Sequence, residues 1–344
     1  MVRCHSSVGQ LAFYTDSAAP FSELESFLTP LERIAITNAD ELGCYSYQNL
    51  SDWDSYLGRT PRFSTAPFMP RDNTGKDVRP DDAVLQGIIV ARLQRWKGPI
   101  ELMEALRICV RDGLRQIRIE WIGVDTDTAP DGSSMLTFLQ QRYPDLWDTY
   151  FGWTQQMAPS NVRARQAAAD FAVVPSLWDT FNYSAVEAMS LGTPLIVSSS
   201  AGASYLAQHG HNALVVPPHD VEALAAAIKA LATDRATRQK IGAAGRETIE
   251  QQFVEGKIVR EHIADYESAI KRHDYRREHR YGVTADELTK HFIRASESLS
   301  YQPTKHLLDA LLQKGKRGLV ATMPRPVKRV VKTARQRVVA ATRL

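Results

Sequence analysis

Long apolar runs are missing from this sequence. None of its 344 residues belongs to an apolar stretch near the roughly 20 residues that a membrane-spanning helix needs. The N-terminus, MVRCHSSVGQ, also lacks the apolar core of a secretory signal peptide. These two absences argue against a transmembrane or a secreted protein, and the expectation is a soluble cytoplasmic one.

Cysteine is scarce and unpatterned. The three cysteines, Cys4, Cys44 and Cys109, are odd in number and form neither a CxxC motif nor a Cys/His metal-binding spacing. A disulfide-stapled fold is therefore not expected. The sequence predicts free thiols, a reducing compartment and no metal site.

Charge is nearly balanced overall but unevenly distributed. The net charge is +3, yet residues 271–344 carry 18 Lys or Arg against 6 Asp or Glu, a balance of +12. The rest of the chain has 42 − 18 = 24 basic and 39 − 6 = 33 acidic residues, a balance of −9. A basic end on an acidic body indicates a binding partner for that end rather than a requirement of the fold.

From about residue 83, short apolar runs alternate with helical patterns. Runs such as AVLQGIIVARL, IRIEWIG, FAVVP, TPLIVSSS and NALVVPP predict strands. Helices are predicted between and after them at PIELMEALRICVRD, SSMLTFLQQRY, residues 159–168, YSAVEAMSLG, ASYLAQHG, VEALAAAIKALATD and RATRQKIGAAGRETIEQQF. This alternation is typical of βαβ units, so an α/β fold with a parallel sheet is expected, with ligands at the carboxyl ends of the strands.

Residues 1–82 are less regular and too short for a second complete α/β domain. The sequence therefore predicts four parts: a partial Rossmann-like segment and linker at 1–82, a ligand-binding domain at 83–255, a helical extension at 256–313 and a basic amphipathic tail at 314–344.

Two acids stand close together in WDTFNYSAVEAMSLGTPLIV. Asp179 is placed after a predicted strand, and Glu187 one turn into a helix that starts near Asn182 or Tyr183. The free N–H groups of a first helical turn bind anions, and carboxylates accept hydrogen bonds from the paired hydroxyls of sugars. A ligand with phosphates and several hydroxyls would suit such a site. The alternative is that Asp179 is a helix cap or a turn residue and Glu187 is a solvated helix residue.

Two cations follow an earlier predicted strand. In ARLQRWKG, Arg92 ends the strand and Lys97 precedes the next helix. At the carboxyl edge of the same sheet as the two acids, they could meet a diphosphate. The alternative is a pair of surface charges that flank a helix.

The order of these motifs resembles that of the retaining GT-B glycosyltransferases of family 4. The resemblance covers about residues 83–255, and runs through ARLQRWKG, EWIG, FAVVPS, DTFNYSAVEAMSLGTPLIVS, GHNALVVPPHDVEALAAAI and GAAGRETIEQQF. It implies a GT-B-type Rossmann-like fold with helices on both faces of the sheet. It also implies a complete C-terminal donor domain and a partial N-terminal domain.

The resemblance also implies roles for the charged residues. Glu187 would hold the ribose hydroxyls of a nucleotide-sugar donor, Asp179 the hydroxyls of the donor sugar, and Arg92 and Lys97 the diphosphate. Backbone N–H groups would complete the diphosphate site at Asn182, Tyr183 and Ser184.

By the same resemblance, the donor would be a UDP- or GDP-sugar and the acceptor a glycan or a lipid-linked molecule. Hexosyl transfer would retain the configuration of the sugar, with neither a metal nor a protein base, because the cations stabilise the leaving diphosphate.

Some residues depart from the family pattern. Asp179 replaces a Glu that is one methylene longer, Ala91 stands where a Gly is common, and an acid that often follows the Gly pair is replaced near Tyr205. These departures leave the identity of the donor open.

A larger departure lies at the front of the chain. MVRCHSS and ITNADELGCYS resemble late parts of the family's acceptor domain, and the earlier strands and Gly-rich loop are missing. His5 either matches a His near the donor sugar or is a mobile residue near the terminus. The chain could be truncated, could rely on another chain, or could be a non-catalytic nucleotide-sugar-binding or scaffold subunit. We expect weak transfer, or none, by this chain alone.

The tail, residues 314–344, contains ten Lys or Arg and no acid. In a helix, PVKRVVKTARQRVVAATRL would form a valine-rich face flanked by basic residues. Such a helix suits an anionic membrane surface, which predicts a peripheral protein on the inner membrane face. The alternative is a solvated or partly disordered end. Nucleic acid is not expected as a partner, because no aromatic interleaving or known motif supports it.

Overall fold

A computed structural model describes residues 2–3, 39, 41–47, 61–68 and 84–279, with side chains at 39, 41–47, 61–68 and 84–274. By contacts, the chain divides into two units, Gly43–Asp265 and Met1–Leu42 with Tyr266–Leu344. In the second of these, Arg272 forms an ion pair with Glu41 at 2.9 Å. The four-part division predicted from the sequence stays a prediction, and its tail, 314–344, lies outside the described residues.

The larger unit is built on a parallel six-stranded sheet. Its strands are β4 (Leu85–Val90), β5 (Ile117–Ile122), β6 (Phe151–Thr154), β7 (Phe171–Val174), β8 (Leu195–Ser198) and β9 (Leu214–Val216). Three shorter strands precede them: β1 (Val2–Arg3), β2 (Leu42–Cys44) and β3 (Arg62–Phe63). In β2 and β3, Gly43 pairs with Arg62 and Cys44 with Phe63, again in parallel. The predicted α/β class with a parallel sheet is confirmed.

Seven helices are described. They are α1 (Pro99–Arg111), α2 (Met135–Arg142), α3 (Pro159–Ala168), α4 (Tyr183–Ser190), α5 (Val221–Thr233), α6 (Arg235–Gln252) and α7 (Glu255–His279). Each of α1 to α6 coincides with a helix predicted from the sequence. The start of α4 at Tyr183 is where the sequence placed it.

Helices cover both faces of the sheet because side chains alternate along each strand. Phe171 and Val173 of β7 belong to a core cluster that includes buried residues of α1, α2 and α5. Ala172 and Val174 of the same strand face a second cluster, with α4 and the end of α6. The short apolar runs are thus strands buried on both sides, as in other parallel sheets.

The order of strands places a crevice at one defined point. Across the sheet the order is β6-β5-β4-β7-β8-β9, so the first strand, β4, lies beside the fourth, β7. Chain connections leave these two strands in opposite directions. This opens a crevice at their carboxyl ends, where ligands bind in sheets of this type. Arg92 follows β4 and Asp179 follows β7.

One predicted helix is wrong. The segment ASYLAQHG forms only a 3-10 turn, Gly202–Leu206. Beyond the turn, Asn212 holds the chain in a loop: its Nδ2 donates to the carbonyl of Leu206 at 2.9 Å, and its Oδ1 accepts from the backbone N–H of Gln208 at 2.6 Å. These side-chain bonds satisfy backbone groups that a helix would have paired internally.

Two of the cysteines can be placed. Cys44 and Cys109 are buried free thiols, as predicted, and Cys4 lies outside the described residues. Burial raises the pKa of Cys109 to about 11, against the opposing effect of Lys229 nearby. The Cys109 thiol is therefore protonated and unreactive at neutral pH.

Candidate active site

The loop after β4 is held at its first residue. Trp121 is fully buried in β5, and its indole N–H donates to the carbonyl of Ala91 at 2.8 Å. Two residues on, the backbone N–H of Leu93 donates to the carbonyl of Val124 at 2.8 Å. Arg92 lies between these two anchors with its side chain exposed. The strand end therefore presents a guanidinium to solvent from a fixed backbone.

Two threonines hold the next turn, the 3-10 segment Arg95–Lys97. Thr126 donates from its hydroxyl to the carbonyl of Leu93 at 2.8 Å, and the hydroxyl of Thr128 accepts from the backbone N–H of Arg95 at 3.0 Å. Because both threonines lie in the loop after β5, two neighbouring loops fix one another at this edge.

A glycine brings this turn against the loop after β7. Gly98 has φ +76, and a Cβ added to it would lie 2.0 Å from the carbonyl oxygen of Pro175. The backbone N–H of Leu177 donates to the carbonyl of Trp96 at 2.8 Å across the same junction. Only glycine fits so close a contact in this left-handed conformation.

As a result, Lys97 and Asp179 meet. The Nζ of Lys97 forms an ion pair with Oδ2 of Asp179, and the two side chains are only 15% and 16% exposed. Asp179 also accepts from the side-chain amide of Asn182, and its Oδ1 from the backbone N–H of Thr180 at 2.8 Å. Asp179 is thus part of a network, and the interpretation of this residue as the cap of α4 is wrong.

The cap of α4 is Asn182, in the left-handed conformation with φ 66. Its side chain makes no capping hydrogen bond, because it reaches back to Asp179 and, at 3.3 Å, to the hydroxyl of Ser176. The first-turn N–H groups of α4 are therefore not capped by a side chain. Such donors, at the positive end of the helix dipole, suit an anion.

Tyr183, the first residue of α4, packs its ring against Phe181 with the centroids 5.0 Å apart. Partial burial, and then Tyr45 nearby, raises the pKa of Tyr183 to about 12. The hydroxyl is consequently neutral at physiological pH and can donate a hydrogen bond.

Arg92 and Glu187 line one cleft. It has a volume of about 420 Å³, and its wall is formed by the carboxyl ends of β4 and β5, the start of α3 and the side chain of Glu187 from α4. Glu187 is partly buried in it rather than fully solvated, and the acid and the cation face the same space. The apolar part of the lining consists of Val90, Ala91, Ile122, Val124, Met157, Pro159 and Val162.

The tertiary structure therefore joins the predicted residues as two pairs, Lys97 with Asp179 and Arg92 with Glu187. Asn182 joins the first pair through its side chain, whereas the sequence had suggested only its backbone. Tyr183 and Ser184 begin α4, as expected. His5 lies outside the described residues.

Arg163 was missed by the sequence analysis. It lies in α3, partly buried, and lines the cleft with Arg92. The only signal was a cation one turn into a predicted helix that follows a strand, which many surface residues share.

The arrangement combines features that suit a nucleotide diphosphate. Arg92 and Arg163 line a cleft with apolar walls, and Glu187 is a carboxylate that can accept from two hydroxyls. Among the described residues, no cluster of three or more His, Cys, Asp or Glu could hold a metal ion. Over that same part of the chain, no helix is long and apolar enough to cross a membrane.

Comparison with known families decides the assignment. The family model described as "Glycosyl transferases group 1" matches residues 76–248, half of the chain. The chain belongs to the glycosyl transferases group 1 family. The matched residues of this group 1 protein run from just before β4 to the last turns of α6, so they include both pairs.

Curated relatives include a mannosyltransferase and a glycosyltransferase that acts on an inositol phosphate by name. The chain is 32% identical over 149 residues to an MMP α-(1→4)-mannosyltransferase from Mycolicibacterium hassiacum, covering 43% of this chain and 35% of the relative. It is 29% identical over 215 residues to a D-inositol 3-phosphate glycosyltransferase from Pseudarthrobacter chlorophenolicus, covering 61% and 50%. The group 1 chain thus spans half or less of the length of these relatives.

Solved structures agree on the fold. HepE from Anabaena, solved with UDP and glucose, superimposes with a TM-score of 0.60 at 21% identity, over 77% of this chain and 70% of that one. A sucrose-phosphate synthase from Thermosynechococcus elongatus gives 0.58 at 22% identity, over 80% and 66%. The predicted GT-B-type fold of this group 1 protein is confirmed.

Proposed function

We propose that this protein transfers a sugar from a nucleotide-sugar donor to an acceptor, with its donor site at the β4–β7 crevice. One observation carries the proposal: Arg92 and Glu187 line a single cleft at the strand ends where a ligand is expected. Membership of the group 1 family supports the same activity.

In this proposal the nucleoside lies in the cleft, with its base against the apolar wall. Glu187 accepts hydrogen bonds from the two ribose hydroxyls, a geometry that a carboxylate supports with its two oxygens. Arg92 meets the diphosphate at the mouth of the cleft, and the uncapped first turn of α4 adds backbone donors. These cations and dipoles stabilise the charge that develops as the diphosphate leaves, so no metal is required.

The Lys97–Asp179 pair is proposed to hold the sugar end of the donor. When the diphosphate arrives, it competes with Asp179 for Lys97, and the carboxylate turns to the hydroxyls of the sugar. Each charged group keeps a partner throughout, which limits the cost of removing it from water.

Transfer is proposed to retain the configuration of the sugar. The bond from the anomeric carbon to the phosphate oxygen breaks, and its electron pair stays with the diphosphate. The acceptor hydroxyl forms the new bond on the same face and gives its proton to the leaving phosphate oxygen. No protein base is then needed, which leaves Asp179 to bind the hydroxyls of the donor sugar.

The donor is proposed to be a UDP- or GDP-hexose. HepE, which shares the fold, was solved in complex with UDP-glucose, and the name of one relative specifies mannosyl transfer. The acceptor is proposed to be a glycan or a lipid-linked molecule.

A binding and transfer experiment tests the proposal. The purified chain is titrated by calorimetry with UDP-, GDP- and ADP-sugars, and the Arg92→Ala/Glu187→Ala variant is titrated with the donor that binds. We expect one donor to bind and the variant to lose at least about tenfold in affinity. Binding of none of the donors, or equal binding by the variant, would contradict the donor site.

Transfer is measured separately, by release of the nucleoside diphosphate in the presence of glycan acceptors. The anomeric configuration of the product is read by proton NMR. An inverted product would contradict retention, and robust multiple turnover would contradict the expectation that this chain alone transfers weakly or not at all.

A membrane surface is proposed as a further partner, from sequence alone, through residues 314–344. Each Lys or Arg contributes at most about 1 kcal/mol near an anionic surface, and salt weakens this. The chain should co-sediment with anionic liposomes at low salt, and deletion of 314–344 should abolish it. Equal binding to neutral liposomes would contradict an electrostatic anchor on a cytoplasmic membrane face.

A further inference from the structure

A second and larger cavity lies elsewhere in the unit Gly43–Asp265. Its volume is about 830 Å³, and it is enclosed by β3, the Gly202–Leu206 turn, the second half of α6 and the first turns of α7. None of its lining residues also lines the Arg92–Glu187 cleft. A cavity of this size accommodates a ligand of several rings.

Three aromatic rings form one part of its wall, and we refer to them as the aromatic trio. Tyr47 and Phe63 stack with centroids 4.1 Å apart and planes within 5°. Tyr205 meets both rings edge-on, at 5.6 and 5.5 Å. Tyr47 nevertheless remains 56% exposed. Part of a flat apolar surface is thus open to a ligand.

Groups that bind hydroxyls line the same cavity. Carboxylates and amides are both present, among them Glu247, Glu261, Gln251 and Gln208. Burial, and then Tyr47 and Glu261, raises the pKa of Tyr205 well above its ordinary value, so its hydroxyl is a neutral donor and acceptor.

The charges of the cavity do not select an ion. Arg62 is an ion-pair partner of Asp265, at 3.1 Å, and the hydroxyl of Ser64 also donates to Asp265. The other cation on the wall, Lys257, is outnumbered by Glu247 and Glu261. A phosphate or a polyanion would be repelled by these acids. A purely apolar ligand would displace water from the polar wall without replacing its hydrogen bonds, which costs free energy.

We propose that this cavity binds a neutral oligosaccharide, with one sugar ring stacked on the aromatic trio and its hydroxyls bonded to the carboxylates and amides. The apolar C–H face of a pyranose matches an aromatic ring, whose π face is negative. Its equatorial hydroxyls point away from the stacked face and would bond to the polar groups of the lining. The site is separate from the proposed donor site and does not depend on transfer.

The Gly202–Leu206 turn, which carries Tyr205, is also hydrogen-bonded to the loop of Asp179. The backbone N–H of Gly202 donates to the carbonyl of Asp179 at 3.0 Å, and the N–H of Asp179 to the carbonyl of Ser200 at 3.1 Å. A Cβ on Gly202 would lie 2.0 Å from the carbonyl oxygen of Thr180. A saccharide in the cavity would therefore rest on a turn that packs directly against the loop of Asp179.

Saturation-transfer NMR and calorimetry of the full chain test the site, with maltotriose and mannotriose as neutral probes and trigalacturonate as the charged one. We expect at least one neutral trisaccharide to bind. Tyr47→Ala removes a largely exposed ring and should weaken that binding about tenfold, the scale of one aromatic contact. Tyr205→Ala should weaken it at least as much, and Tyr205→Phe less, because it keeps the ring.

UDP titration separates this inference from the donor site. UDP affinity should be the same in wild type and Tyr47→Ala, and the unfolding temperature of Tyr47→Ala should be close to that of wild type. Three results would each overturn the proposal. Trigalacturonate could bind as tightly as the neutral probes, or neither neutral probe could bind. Binding could also be unchanged in both Tyr47→Ala and Tyr205→Ala. Failure of UDP to bind would leave this result intact and would bear on the donor site alone.

Discussion

The two pairs of charged residues in the crevice differ in how they are satisfied. Lys97 and Asp179 bind one another directly and are mostly buried, with side chains 15% and 16% exposed. Arg92 and Glu187 instead face a cleft, and Arg92 forms no ion pair within the part of the chain that the structure describes. Both pairs combine one residue from the loop after β4 with one from the segment after β7.

The difference indicates separate tasks. A pair that is already formed contributes to the fold and must rearrange before it can bind a ligand. Arg92 is exposed at the cleft and contributes little to the fold, and it shares with Glu187 a space that a ligand can fill, so ligand binding is the main task expected of this pair. Substitutions in the first pair should therefore affect stability, and substitutions in the second should affect binding.

The largest loss of stability is expected from a substitution at Gly98, whose contact with Pro175 brings the first pair together. Gly98→Ala introduces a Cβ against the carbonyl of Pro175 and forces a non-glycine residue to φ +76. The clash and the left-handed conformation should together destabilise the protein by about 2–5 kcal/mol. Chemical denaturation monitored by tryptophan fluorescence measures it.

Gly113 provides the matched control for this substitution. It has φ +98, but no atom lies within 4 Å of an added Cβ. Gly113→Ala should therefore cost only the conformational strain, about 1–2 kcal/mol. Equal losses for the two variants would show that the contact with Pro175 does not matter.

A smaller loss is expected from breaking the first pair itself. Lys97→Met leaves the Asp179 carboxylate partly buried without its cation, which should lower the free energy of unfolding by about 2–3 kcal/mol. The double variant Lys97→Met/Asp179→Asn should recover part of this loss, because it removes the unpaired charge. Additive losses in this cycle would contradict a direct interaction.

Substitutions in the second pair should lower the affinity for the ligand. Glu187→Gln keeps the shape of the side chain but removes its charge, so UDP affinity should fall by about 1–2 kcal/mol. Glu222→Gln, an exposed acid in the first turn of α5, is the control and should leave UDP affinity as it is. If Glu187→Gln lowers stability and spares binding, the division of tasks is wrong.

The smallest effect should come from Arg92, because it is exposed. Arg92→Gln should weaken UDP binding by about 1 kcal/mol at low salt and by less as the ionic strength rises, since solvent-exposed charges are screened. Calorimetry at two salt concentrations measures both values. A salt-independent loss would mean that the Arg92 contact is buried when UDP is bound.

The sequence alone specified the α/β class, the parallel strands and helices α1 to α6. It could do so because strands buried on both faces read as apolar runs such as FAVVP, and amphipathic helices repeat their apolar residues every three or four positions. It failed at ASYLAQHG, where apolar residues at helical spacing form only a 3-10 turn. There the side chain of Asn212, which lies beyond the end of the segment, hydrogen-bonds to the backbone of Leu206 and Gln208.

The sequence also selected the residue types of the site. Asp179, Glu187, Arg92 and Lys97 all follow strands, and parallel strands bring their carboxyl ends to one edge. It did not predict which acid meets which cation, the contribution of Arg163 to the cleft or the aromatic trio at Tyr205.

Tertiary structure decided those pairings for a physical reason. Periodicity reports which side of its own strand or helix a residue occupies, and this is a local property. The approach of two loops depends on a contact such as that of Gly98 with Pro175, whose partners are 77 positions apart in sequence, since 175 − 98 = 77. Packing at that junction joins Lys97 to Asp179 and leaves Arg92 and Glu187 facing an open cleft.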